Sequence, residues 1–299
     1  MTLTKSASLR ELEALAKRVR RHIVAMTAAA GSGHPGGSLS CVDILVALYG
    51  RILRHDPANP AWPDRDRFIL SKGHAAPALY AVLAECGYLP VEELTTLRQL
   101  GSRLQGHTVA GTPPGVEMTA GSLGMGLSFS LGQALAARLD GRGYRVYCLL
   151  GDGDCNEGST WEAALACAHH QVDNLMAIVD YNQIQNDGFS DYSRYANTSQ
   201  PRRVGGWVGK EGHTVNIMSL QPLNEKWRAF GWEVLEADGH DIAALTEALE
   251  KAQSVKEKPA VIIAHTVKGK GVSFMENNPA FHGKAPSPEE TDKASAELA

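Results

Sequence analysis

Short apolar runs alternate along the chain with stretches of helical spacing. The runs are 67–70, 144–150, 175–179, 232–235 and 260–264. None alternates apolar with polar residues, the pattern of strands covered on both faces and therefore of parallel sheet. Between them, residues 41–52, 75–86, 125–139, 157–169 and 240–252 carry apolar faces at helical spacing. Near the N-terminus Leu12, Leu15, Val19, Ile23 and Met26 fall on one face of a further helix. This rhythm predicts an α/β fold, an open, mostly parallel sheet with helices on both faces. In such sheets ligands sit beyond the carboxyl ends of the strands, so motifs that directly follow a strand are the most informative. Residues 189–216 are polar and turn-rich and predict a long loop. No linker divides the chain, so residues 1–299 read as one domain.

Composition narrows the function classes. With 43% hydrophobic and 21% charged residues, the chain is of ordinary globular type rather than disordered or collagen-like. The net charge of −4 gives no electrostatic footprint for nucleic acid. No apolar stretch approaches the ~20 residues of a membrane span, and the N-terminus lacks the pattern of a secretory signal. Neither a nucleic-acid nor a membrane partner is expected. The five cysteines are widely spaced and include no CxxC pair, which speaks against a disulfide framework or zinc ribbon. A cytoplasmic setting is the simplest expectation.

Candidate chemistry gathers after two of the predicted strands. Gly151-Asp152-Gly153 directly follows the run ending at Leu150 and precedes a predicted helix. Glycines there allow a sharp turn and close approach of backbone to a ligand, and a helix N-terminus favours an anion. The run 175–179 leads into Asp180-Tyr181-Asn182-Gln183-Ile184. Asp152, Asn182 and a backbone carbonyl would offer a partial oxygen shell, too sparse for a stand-alone metal cage but suited to a magnesium ion that arrives with a diphosphate. A GDG tripeptide alone is a common turn; its context gives it meaning.

In that context the chain resembles thiamine-diphosphate enzymes, and transketolases in particular. GDG followed by residues 154–181 and then Asn182 is similar to the thiamine-diphosphate fingerprint. Ser32-Gly33-His34-Pro35-Gly36-Gly37, Leu70-Ser71-Lys72-Gly73-His74, Gly106-His107, residues 121–126 and Phe281-His282-Gly283 resemble transketolase segments, in the family's order. The resemblance implies a thiamine-diphosphate-binding fold of the diphosphate-binding type and a cofactor pair of thiamine diphosphate with Mg²⁺ or Ca²⁺. The metal ligands would be Asp152, Asn182 and the Ile184 carbonyl. Gly153 N–H, His74 and His282 would contact the diphosphate; Leu123 and the Gly121 backbone would lie against the rest of the cofactor. His34, His107 and His282 would line the substrate channel, where imidazole suits hydrogen bonding and proton transfer near neutral pH. Glu157 either supplies a favourable charge at a helix N-terminus or meets the partner subunit. His22, His169, His170, His213, His240 and His265 are expected to be structural.

The family's activating glutamate lies in a pyrimidine-binding domain that has no counterpart here. The chain is therefore similar to the N-terminal subunit of a split transketolase. The expected activity is transfer of a two-carbon ketol unit from a ketose, usually phosphorylated, to an aldose. The expected partner is a C-terminal subunit with the pyrimidine-binding domain and that glutamate, in a heterotetramer of two plus two chains. Alternatives are another thiamine-diphosphate carboligase, such as a deoxyxylulose-phosphate synthase relative or a 2-oxoacid dehydrogenase component, and a nonenzymatic, cofactor-free binding module. Ser122 and Met125 replace the family's Pro and Gln. An insertion at about 190–216 reads as a lid or partner-contact loop, or as a solvated surface loop.

Overall fold

The computed structural model describes residues 7–186 and 218–299; the predicted insertion at 190–216 lies outside the described residues. A sheet of five strands forms the centre: β1 (Arg67–Leu70), β2 (Val146–Gly151), β3 (Leu175–Tyr181), β4 (Glu233–Asp238) and β5 (Ala260–His265). Their order across the sheet is β1-β2-β3-β5-β4, and every pairing is parallel. All five predicted strands are present; β1 has the predicted ends, and β2 to β5 run one to three residues further at their carboxyl ends, because backbone pairing continues into the residues that follow each apolar run.

Why the runs lack alternation is visible in the packing. Tyr147, Leu149, Met176, Ile178 and Ile262 enter one core, while Val146, Cys148, Leu150, Ala177, Val179, Val261 and Ile263 enter the other. Successive side chains point to opposite faces, and both faces are covered. The first core is closed by α1 (Leu9–Ala30), α3 (Val42–Ala47), α4 (Ala76–Cys86) and α8 (Ile242–Ser254), the last from the β4–β5 connection. The second is closed by α5 (Met125–Leu139), α6 (Gly158–His169) and α7 (Leu223–Ala229). Crossovers between parallel strands are right-handed, so a chain that reverses direction across the sheet must change faces. It does so here: α6 and α7 follow the outward path β2→β3→β4, and α8 lies on the opposite face on the return to β5. In sheets whose strand order reverses in this way, ligands usually bind beyond the carboxyl ends of the strands at the reversal, here β3 and β5.

α1 begins with a capping box in which Ser8 and Glu11 satisfy each other's backbone N–H groups, and its buried stripe includes the five residues expected. The predicted helix 41–52 is divided. Residues Val42–Ala47 are α-helical, and Leu48–Ile52 continue as a single π turn. A further short helix, α2 (Pro35–Ser40), precedes it, and α9 (Pro288–Glu297) closes the described chain. The five cysteines are free and buried. No helix among the described residues is long and apolar enough to cross a membrane.

Candidate cofactor and substrate site

Four histidines from four separate segments meet above the strand ends. His34 immediately precedes α2, His74 lies in the 3₁₀ turn Gly73–Ala75 after β1, His107 lies in the α4–α5 connection, and His282 ends the 3₁₀ turn Pro279–His282. The His34 ring centroid is 5.3, 5.7 and 5.6 Å from those of His74, His107 and His282, and His74 and His282 stack at 5.2 Å. The glycines of α2 permit this gathering. A Cβ on Gly36 would come within 2.8 Å of the Phe281 carbonyl oxygen, and one on Gly37 within 3.1 Å of His74 Nε2.

Below the histidines lie two buried lysines, Lys72 and Lys268, each 1% exposed. Lys72 Nζ donates to the Gly37 carbonyl at 2.8 Å and pairs with Asp180. Asp180, on β3 and fully buried, also accepts from the hydroxyls of Ser40 (2.6 Å) and Thr266. Burial alone would raise the Asp180 carboxyl, but Lys72 and these donors hold it below the usual carboxylate range. Burial would likewise lower Lys72, yet Asp180 carries it above the ordinary lysine value. The two form a true ion pair.

The ion pair orients a neighbouring amide. Asn182 Nδ2 donates to Asp180 Oδ2 (3.2 Å) and Ser40 Oγ (3.3 Å), which turns Oδ1 the other way, where it accepts Ile184 N–H at 3.1 Å. Asp152 lies one residue past β2, whose last pairing sets Gly151 opposite Asp180. The buried Asp152 accepts Gly153 N–H at 2.9 Å, and its negative charge acts on both lysines. Lys268 Nζ donates to the Ile184 carbonyl and lies 2.7 Å from His282 Nδ1, so it stands between the strand-end oxygens and the histidines. Burial, aided by Lys72, lowers its ammonium to about 7, against the pull of Asp152.

Asp154, Lys72, Asp180 and Lys268 did not stand out in the sequence as candidates. Asp154 is fully buried and accepts from Ser71 Oγ, Gly124 N–H (2.8 Å) and Gly151 N–H (2.7 Å). It thereby ties the 121–126 turn to the end of β2. The same turn brings Leu123 beside Gly153, whose Cβ, were there one, would lie 3.3 Å from Leu123 Cδ1. Gly121 is exposed. The segment after GDG is first a 3₁₀ turn, Gly153–Asn156, and α6 starts at Gly158. Glu157 is the exposed N-cap residue of α6 and makes no side-chain capping bond. Of the histidines read as structural, His22 contacts Glu85, His265 contacts Glu236 and His240 contacts Asp43.

The histidine cluster is held neutral. Burial, with Arg98, His107 and Lys268 nearby, lowers His34 to about 4; burial and Lys268 lower His282 to about 2. Burial also lowers His74 and His107. In the unfolded chain histidine titrates near 6.5, so below that pH the unfolded state binds more protons than the folded one and stability falls. The melting temperature is therefore expected to drop as pH falls from about 6.5 towards 4, and to drop less in a His34→Asn/His107→Asn chain. Parallel melting curves of the two proteins across that range would disprove this origin of acid lability.

Known proteins resemble the chain over most of its length. The family model described as transketolase, thiamine diphosphate binding domain, matches residues 12–211 and 207–299. The chain is 42% identical over 268 residues to a 6-deoxy-6-sulfo-D-fructose transketolase subunit of Clostridium sp. (strain MSTE9), covering 90% of this chain and 89% of that protein. It is 42% identical over 289 residues to an apulose-4-phosphate transketolase subunit of Actinobacillus succinogenes, covering 96% of each. Among solved structures, the transketolase of Campylobacter jejuni superposes with a TM-score of 0.85 at 33% identity, over 98% of this chain and 43% of that one. The transketolase of Leishmania mexicana does so at 0.83 and 30%, over 98% and 41%. The chain thus spans nearly all of the subunit relatives but about two fifths of these solved transketolases.

Proposed function

The chain belongs to the transketolase family through its thiamine-diphosphate-binding domain, and we propose that it is the N-terminal subunit of a two-chain transketolase. It would move a two-carbon ketol unit from a ketose to an aldose once joined to a subunit carrying the pyrimidine-binding domain. The observation that carries the reading is the convergence of four neutral histidines and two buried lysines on the strand ends that bear Asp152 and Asn182. The relatives named above are transketolase subunits for a sulfonated and a phosphorylated sugar. We extend this to substrates that are sugars with a terminal anionic group.

The residues present fit a magnesium- or calcium-bound diphosphate. A carboxylate, an amide oxygen and a backbone carbonyl form a hard-oxygen set, and Mg²⁺ commonly completes such a set with substrate phosphates and water. Asp152, Asn182 Oδ1 and the Ile184 carbonyl would hold the metal, with the Asp180 contact keeping the amide oxygen turned outward. Gly153, His74, His282 and Lys268 would face the diphosphate, and Leu123 and Gly121 the rest of the cofactor. Bound thiamine diphosphate would supply the electron sink for carbon–carbon bond cleavage and formation. His34, His107 and His282, held neutral by burial, would accept or donate hydrogen bonds to sugar hydroxyls and relay their protons. Exposed Glu157 would meet the partner subunit. Residues 1–299 would act as one domain, in a cytoplasmic heterotetramer.

The test is reconstitution. The chain with Mg²⁺, thiamine diphosphate and the product of a neighbouring gene for a pyrimidine-binding subunit is expected to transfer the ketol unit from xylulose 5-phosphate, and to do so faster than it consumes pyruvate. Each chain alone is expected to be inactive. Full transfer by this chain alone, or a preference for pyruvate, would overturn the reading.

A further inference from the structure

Lys268 enters the site on a short segment that side chains from outside the site grip at both ends. At one end Val267 N–H donates to His240 Nε2 at 2.8 Å. At the other, Arg20 Nε donates to the Lys270 carbonyl at 3.2 Å. Both gripping side chains converge on Asp43. Arg20 forms a two-pronged pair with its carboxylate, with Nη1 3.1 Å from Oδ1, and His240 Nδ1 lies 2.8 Å from Oδ2. Asp43 is 4% and Arg20 8% exposed, so water does not screen the group. Burial alone would raise the Asp43 carboxyl, but the His240 bond and Arg20 hold it below its usual range.

The hydrogen bonds fix the histidine tautomer. Nε2 accepts a backbone N–H and therefore carries the lone pair; Nδ1 carries the proton and donates to Asp43. Three distant elements, α1 through Arg20, α3 through Asp43 and the turn after β4 through His240, are thereby locked to one another and to residues 267–270. The segment has further anchors of its own: Gly269 N–H donates to the Gly36 carbonyl at 3.0 Å, the Lys268 carbonyl accepts Asn277 N–H at 2.9 Å, and the adjoining Thr266 is bonded to Tyr181 and Asp180. From this grip Lys268 Nζ reaches Ile184 O and His282 Nδ1, both at 2.7 Å. Hydrogen bonds weaken steeply beyond this range, so a slip of the segment by about 1 Å removes both.

We infer that Asp43, His240 and Arg20 form a clamp whose role is to set where the Lys268 ammonium stands in the cofactor site. The inference rests on the cofactor reading above and goes beyond it by making His240 a positioning residue that acts through Lys268 on a diphosphate.

A double-mutant cycle separates this role from general support of the fold. His240→Leu removes both bonds; His240→Gln keeps an acceptor for Val267 and a donor for Asp43. Calorimetry on the full chain would give Kd for inorganic pyrophosphate and for thiamine diphosphate, each with Mg²⁺, in the parent and in Lys268→Met. His240→Leu is expected to weaken both ligands roughly tenfold in the parent, the scale of an outer partner of a ligand-holding group. In Lys268→Met it should weaken them less than about twofold, and His240→Gln should stay near the parent. Equal weakening in both backgrounds, or none in the parent, would overturn the inference. A Lys268→Met chain that binds like the parent would overturn it alone, while a parent chain that binds neither ligand would also take down the cofactor reading. Should the leucine variant fail to fold, His240→Asn, too short to span both partners, makes the same comparison.

Discussion

Replacing Asp180 by Asn is expected to destabilise the chain by roughly 3–5 kcal/mol, the usual cost of leaving one partner of a buried ion pair uncompensated. Asp180 is the acceptor for Lys72, Ser40, Thr266 and Asn182, which come from the turn after β1, from α2, from the turn after β5 and from the turn after β3 itself. An amide in its place keeps one acceptor oxygen but turns an NH₂ group towards donors. The ammonium of Lys72, 1% exposed, then lies buried without its ion-pair partner, with only the more distant charge of Asp152 to offset it. Urea denaturation of the single variant, of Lys72→Met and of the double variant measures this directly. The double variant is expected to recover much of the loss, because removing both charges is far cheaper than removing one. A single-variant loss under about 1 kcal/mol, the scale of an exposed pair, would show that Asp180 is not the hub described here.

Asp152→Asn should leave the fold intact and remove metal-dependent cofactor binding. The side chain keeps its shape and its acceptor for Gly153 N–H, so the turn after β2 is kept, while the charge it presents to Lys72 and Lys268 is lost and some stability with it. What it loses is the one carboxylate among the proposed metal donors, whose other members are an amide and a carbonyl. Outer partners of metal ligands are worth about 10–100-fold in affinity, so loss of the charged ligand itself is expected to cost on the order of 100-fold or more. Titration of the chain with thiamine diphosphate, with and without Mg²⁺, should show a strong magnesium dependence in the parent and almost none in the variant. An unchanged magnesium dependence would sink the assignment of Asp152 as a ligand.

These two residues differ in how readable they were. Asp152 was visible in the sequence because its signal is local: a strand, a glycine-flanked turn and a helix in succession. Asn182 was visible for the same reason, at the end of the next apolar run. The four histidines were visible only through family resemblance, since nothing in their spacing at 34, 74, 107 and 282 brings them together. Asp154 directly follows the GDG turn, yet its bonds to Ser71 and Gly124 bridge 83 and 30 residues and have no sequence signature. α2 was missed because Pro-Gly-Gly-Ser is poor helix-forming sequence; packing of its glycines against Phe281 and His74 overrides propensity. α9 could have been found: Ser287-Pro288-Glu289-Glu290 is a capping box with proline at the first helical position.

The sequence by itself determined the strands, most of the helices, the division of each strand between two cores and the two strand ends that carry the oxygen donors. All of these follow from side-chain direction and turn chemistry, which act over a few residues. Only the tertiary structure decided which partner each buried charge meets: Lys72 the carboxylate of Asp180 across 108 residues, Asp43 the imidazole of His240 across 197, and Lys268 the carbonyl of Ile184 across 84. A charge taken out of water must find its partner within a few ångströms, and that distance is set by how the elements pack, not by their order along the chain.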